Sequence, residues 1–143
     1  MSATIDVNVL VHAVNQDDPL HETANALLAG LVAETRMFHL FWPVLLGFVR
    51  IATHPRILPR PLSLDAALAN VDALVTVPHV RVHGEDEGFW AFARQAQTEA
   101  GGGNDVPDAH LVALMRQHGV RTIHTQDRGF RRFDGIAVQR LTD

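Results

Sequence analysis

The run Gly103-Asn-Asp-Val-Pro-Asp-Ala-His-Leu111 puts an acid, Asp108, in the first turn of a helix that must run into the core. Leu111, Leu114, Met115 and His118 follow at helical spacing, which predicts one apolar face, and Gly119 supplies the stop. Asp105 or Asn104 is the natural N-cap, and Pro107 sits in the first turn, where a missing N–H costs nothing. A carboxylate there gains from the helix dipole, so Asp108 taken alone requires no function. A functional reading needs partners from elsewhere in the chain.

Two segments qualify. Thr4 to Val11 is a β-branched apolar run carrying Asp6 and Asn8, and it reads as a buried parallel strand passing into a short helix between Val9 and Asn15. An acid in such a strand is costly unless it is paired. Val120 to Thr125 reads as a second strand, and Gln126-Asp-Arg-Gly-Phe130 follows as a turn, so Asp127 falls just beyond a strand's carboxyl end. In open α/β sheets that edge is where sites form.

The rest of the chain alternates in the same way. A helix opening at Asp17-Asp-Pro19 carries Leu20, Ala24, Leu27, Leu28, Leu31 and Val32 at helical spacing. Met37 to Trp42 reads as a brief strand, and Val44 to Ala52 as a buried helix closed by Thr53-His-Pro55. Gly47 inside that helix costs roughly 1 kcal/mol against alanine, which implies a close backbone approach or a lost side chain; Arg50 shares its face. Ser63 caps another helix, Val80 to Val82 is a strand, and Glu85 to Ala100 is a helix with Phe89, Trp90, Phe92 and Ala93 inward. Gly101-Gly-Gly103 ends it as a hinge, and Gly135 to Leu141 is a closing edge strand. The pattern predicts one α/β domain over residues 1–143 with a parallel sheet.

Composition removes several chemistries. All 12 basic residues are arginine, so a Walker-A loop, a Schiff base and lysine-assisted aspartyl-phosphate chemistry are excluded. The absence of cysteine excludes disulfides and thiolate zinc sites and fits a reducing, cytoplasmic location. No apolar run approaches a membrane span, and Met1-Ser-Ala-Thr4 has no signal-peptide pattern. A net charge of −4 argues against indiscriminate nucleic-acid binding while allowing a local basic rim.

Asp6, Asp108 and Asp127 form a cluster of three carboxylates if the parallel sheet closes as read. Like charges so close demand a divalent cation or raised pKa values, and oxygen donors favour Mg²⁺ or Mn²⁺. That chemistry suits phosphodiester hydrolysis. Taken singly, Asp108 is a helix-start acid, Asp127 a turn residue, and Asp105 a cap rather than a ligand; Asn8 either orients an acid or caps a helix. His79 and His83 offer a rival pair at i, i+4, but they flank a strand and lack a third ligand.

As a set these residues resemble the PIN domain, and within it the VapC-type ribonuclease toxins of toxin–antitoxin pairs. The likeness rests on Ile5-Asp-Val-Asn-Val-Leu10, Phe48-Val-Arg-Ile-Ala-Thr-His-Pro-Arg56, Val106-Pro-Asp-Ala-His-Leu111 and Thr125-Gln-Asp-Arg-Gly-Phe130. It implies a three-layer α/β/α domain with a central parallel sheet of four to five strands, and Mg²⁺ or Mn²⁺ as cofactor. It also implies cleavage of single-stranded or loop RNA, a homodimer and a VapB-type antitoxin. Asp6, Asp108 and Asp127 match three of the family's acids as catalytic and metal-binding residues. The usual glutamate falls on Gly47, and an additional acid falls on Gly129, which implies one firmly held ion and a second recruited with substrate or helped by Asp105. Asn8, Arg50, Asp105, Thr125 and Arg128 are expected around the acids or against RNA. Arg50 either meets phosphate or pairs with an acid, and Arg128, Arg131 and Arg132 either line the RNA path or form a solvated turn. The alternative is a PIN-fold module that binds RNA or antitoxin without cutting, because Gly47 stands where the acid belongs.

Overall fold

The computed structural model describes residues 2–142. In chain order the elements are β1 (Ala3–Ile5), α1 (Val7–Val14), α2 (His21–Ala33), β2 (Phe38–Phe41), α3 (Trp42–Thr53) and α4 (Leu64–Val75). They continue as β3 (Val80–His83), α5 (Phe89–Ala100), α6 (Val106–Gln117), β4 (Thr122–His124) and β5 (Ala137–Gln139). Short 3₁₀ turns span Gly103–Asp105 and Arg128–Arg132.

The strands fall into two parallel groups, β1-β4-β5 and β2-β3, with β2 packed beside β1. The chain therefore starts in the middle, moves outward through β2 and β3, and returns through α5 and α6 to lay β4 on the other side of β1. The connectivity reverses between β1 and β4, and the crevice outside their carboxyl ends is where such sheets place ligands. Ile5 pairs with His124, so residues 6 and 125 leave the sheet together.

The first strand is shorter than Thr4 to Val11. It stops at Ile5 because the Asp6 carboxylate accepts the Val7 N–H at 2.7 Å and starts α1 at once. Asn8 therefore lies in a helical first turn and shares no strand parity with Asp6. Asp17 and Asp18 likewise precede α2 rather than cap it: Asp18 accepts the Leu20 N–H at 2.8 Å and meets His12 Nδ1 at 2.6 Å.

α6 is buried more completely than one apolar face predicts. Ala109 and every residue from Leu111 to Met115 lie in the core, with α5 packed against the helix. α5 approaches α6 along Ala93 and Ala96, and that choice of face leaves Trp90 70% exposed rather than inward. The helix also begins at Phe89, four residues later than Glu85, after Gly88 at φ 82°. Phe41, Phe48, Phe130 and Phe133 fill the largest core positions.

His79 and His83 have separate partners. His79 Nε2 bonds the Leu31 carbonyl at 2.8 Å, whereas His83 stacks between His39 and His118, at 5.1 and 4.2 Å between centroids. Burial, then the neighbouring imidazoles, hold His39 and His83 below the ordinary histidine range. Below the unfolded value of about 6.5 the unfolded chain binds more protons than the native one, so stability is present above that pH and lost as pH falls. Thermal unfolding between pH 7.5 and 5.5 should show this loss, and His83→Phe should flatten it; an unchanged slope in the variant would refute the assignment.

Candidate active site

Asp6 and Thr125 are the first residues past the ends of β1 and β4, and the sheet brings them into contact. The Thr125 hydroxyl, fully buried, donates to Asp6 Oδ2 at 2.9 Å and accepts the Asp127 N–H at 3.0 Å. Asn8 Nδ2 donates to both Asp6 Oδ2 and Thr125 Oγ1, each at 3.0 Å. With the Val7 N–H, this makes Asp6 a carboxylate whose direction is set by three donors. Asn8 Oδ1 is buried and has no hydrogen-bond partner.

Asp127 lies in the turn after β4 and accepts the Gly129 N–H at 2.8 Å. Asp108 enters from the first turn of α6, its side chain 26% exposed. Burial, then the charges of Asp6 and Asp127, push its carboxyl up to about 6. Asp6 is pushed up as well, mainly by burial, with the bonds from Thr125 and Val7 opposing and Asp127 adding to the rise. The three acids thus feel one another's charge.

They are not a closed ligand set as they stand. Among the described residues, no three His, Asp or Glu side chains are arranged to hold a metal ion. Arg132 lies against two acids, its Nη2 3.5 Å from Asp108 Oδ2 and 3.2 Å from Asp105 Oδ1. The donors are all hard oxygens under mutual repulsion, with one unpartnered amide oxygen beside them, and that chemistry fits Mg²⁺ or Mn²⁺ once Asp108 turns from Arg132.

Asp105 occupies the cap position of α6 but makes no side-chain cap bond; it is an acid for Arg132 instead. Arg50 and Arg128 are exposed, and among the described residues neither forms an ion pair, so Arg50 does not bridge to a remaining acid. A Cβ at Gly47 would meet only Val7 Cγ2, at 3.7 Å. No close backbone approach requires glycine there, and a side chain would face Val7 in the first turn of α1. His110 turns away from Asp108 to Glu85, at 2.6 Å. The pairing of Arg132 with Asp105 and Asp108 has no signature in sequence, because it depends on how the turn after β4 folds back on α6.

Thr125→Val tests the frame around Asp6. It leaves the Asp127 N–H and the Asn8 amide each short of a partner, at a cost on the order of 1–3 kcal/mol. It also removes a bond that lowers the Asp6 pKa, so the acid limb of any pH–activity profile should move to higher pH. Chemical denaturation and that profile are the readouts, and a variant unchanged in both would show that the hydroxyl is dispensable.

The site is an open edge of the sheet. A groove of about 400 Å³ between α2 and the sheet, lined by Leu27, Gly30, Phe38 and His124 among others, contains none of the three acids. The family model for the PIN domain matches residues 3–136, which includes all of them. This chain belongs to the PIN-domain family. The PIN domain here is 46% identical over 140 residues to Ribonuclease VapC48 of Mycobacterium tuberculosis, covering 97% of each chain. It is 35% identical over 130 residues to VapC ribonuclease Mb2897 of Mycobacterium bovis, covering 90% and 88%. Among solved structures, VapBC2 from Rickettsia felis bound to a promoter DNA fragment superposes with a TM-score of 0.70 at 13% identity, over 98% of each chain. VapC20 of Mycobacterium tuberculosis, a Sarcin-Ricin loop cleaving toxin, superposes with a TM-score of 0.64 at 20% identity, over 90% and 92%. At those identities the structural likeness speaks for the fold.

Proposed function

We propose that this PIN domain is a metal-dependent endoribonuclease, the toxin of a VapBC-type pair, which cuts single-stranded or loop RNA in the cytoplasm. The observation that carries this reading is the convergence of Asp6, Asp108 and Asp127 at the reversal point between β1 and β4. The nearly full-length relatives named as ribonucleases support the activity, and neighbours solved as VapBC complexes support an antitoxin partner. A homodimer is part of the same proposal. No helix among the described residues is long and apolar enough to cross a membrane.

In this mechanism Thr125, Asn8 and the Val7 N–H fix the Asp6 carboxylate, and Asp108 and Asp127 close on the same point from α6 and the turn after β4. A bound Mg²⁺ or Mn²⁺ supplies neutralisation of phosphate charge and a water of lowered pKa. Arg50 and Arg128, exposed and free of acid partners among the described residues, are two cations available to RNA phosphates. In-line attack by water on phosphorus would form the new P–O bond and break the bond to the 3′ oxygen, which takes up a proton as the water loses one, leaving 5′-phosphate and 3′-hydroxyl ends.

The test is incubation of a mixed RNA pool with the purified, antitoxin-free chain in Mg²⁺, Mn²⁺ or EDTA, followed by end mapping. Cutting that needs the cation and leaves 5′-phosphates supports the mechanism; cyclic-phosphate ends would exclude it. A second reading, RNA or antitoxin binding without cleavage, draws on Gly47, and binding with no cutting under any cation would favour it.

A further inference from the structure

Arg132 is the one arginine among the described residues that reaches into the acidic site. Its Nη2 spans Asp105 and Asp108, its Nη1 donates to the Gly129 carbonyl at 2.5 Å, and its Cζ lies 4.7 Å from the centre of the buried Phe133 ring. Four contacts from three segments make this a held guanidinium rather than a solvated one. Space for it comes from Gly129. A Cβ there would stand 2.5 Å from Arg132 Nη1 and 3.0 Å from Asp127 Oδ1, so a larger residue displaces the guanidinium or crowds the acid. The Gly129 backbone is not in the left-handed region, so nothing but this space calls for glycine.

We propose that Arg132 is the built-in counter-ion of the acidic site, holding Asp105 and Asp108 until a divalent cation takes Asp108, after which the guanidinium pairs with an RNA phosphate. This rests on the nuclease reading and adds a residue to it. The reasoning is competitive. The guanidinium and a divalent cation are like charges on the same Asp108 carboxylate, so each must weaken the other's binding by the same factor. A guanidinium released at the site retains its charge at every pH, and the anion then arriving is the phosphodiester. The turn that carries Arg132 also carries Asp127, so the hand-over requires only a side-chain movement.

The experiment titrates Mn²⁺ by calorimetry into the metal-free chain and into Arg132→Ala, Gly129→Ala and Arg131→Ala. Arg131→Ala removes the same charge one residue away without touching an acid. If the guanidinium covers Asp108 about nine-tenths of the time, freeing it tightens Mn²⁺ binding about tenfold in Arg132→Ala and Gly129→Ala. Arg131→Ala should change it less than about twofold, as expected of a screened exposed charge. In a second arm, RNA binding is measured against salt in saturating Ca²⁺, where Arg132→Ala should lower the log–log slope by about 0.7, one phosphate contact on a single strand. Unchanged or weaker Mn²⁺ binding in Arg132→Ala, an equal gain in Arg131→Ala, or an unchanged salt slope each overturns the proposal. Should the Mn²⁺ and salt results hold while no variant cuts RNA, the counter-ion stands and the nuclease reading fails.

Discussion

Asp6→Asn is expected to lower RNA cleavage at saturating Mn²⁺ by at least about a thousandfold, roughly 4 kcal/mol of barrier, while raising the melting temperature of the metal-free chain. The two effects have one cause. Asp6 is 6% exposed and its pKa is raised, chiefly by burial, so its charge is carried at a cost to the fold. Between the unfolded value and the raised native value the native state binds more protons, so stability falls as pH rises through that window and stays reduced above it. Asparagine removes the charge, keeps the volume and still caps the Val7 N–H through Oδ1, and relief of the buried charge is expected to outweigh the acceptor lost to Asn8 and Thr125 at Oδ2. Metal-free calorimetry at pH 8 should therefore show a gain of a few degrees in a protein that no longer cuts. An inactive variant that also melts earlier would mean that Asp6 is structural.

Gly47→Glu is expected to tighten Mn²⁺ binding about tenfold and to raise cleavage most where metal is limiting, since a further carboxylate on one ion adds a charge-assisted contact. The backbone permits it. Gly47 is in the interior of α3, a Cβ there makes only an ordinary contact with Val7, and glutamate is a better helix former by roughly 0.5–1 kcal/mol. The variant should thus fold at least as well as the parent, and its readouts are Mn²⁺ titration and initial rates across a metal series. No change in either would establish that this PIN domain works with three acids, and that Gly47 is no lesion.

Much of the site was legible in the chain itself, for a reason that differs from acid to acid. Asp6 interrupts a β-branched run, where an unpaired carboxylate is too costly to be incidental. Asp127 follows a strand that ends in a turn, and Asp108 opens an apolar helix; each is ordinary alone, and only the expectation of a parallel sheet joined them. Gly47 is visible as a cost inside a helix, and the structure shows no close backbone approach that accounts for it. The differences are of phase. Val7 to Val11 is as apolar as a strand, but the bond from the Val7 N–H to Asp6 decides for a helix. The apolar character of Trp90 points it inward, whereas α5 buries the small faces of Ala93 and Ala96.

Element order and the parallel architecture were legible in the chain, and the acids stood out as candidates, because periodicity, caps and the cost of burying charge act within a few residues of where they are written. Tertiary structure alone decided what spans the chain. The Thr125 hydroxyl joins Asp6 across 119 positions, Arg132 reaches back over α6 to Asp105 and Asp108, and His83 stacks between His39 and His118. Such contacts depend on strand register and helix rotation, which are set by the packing of the whole core, so no local pattern announces them.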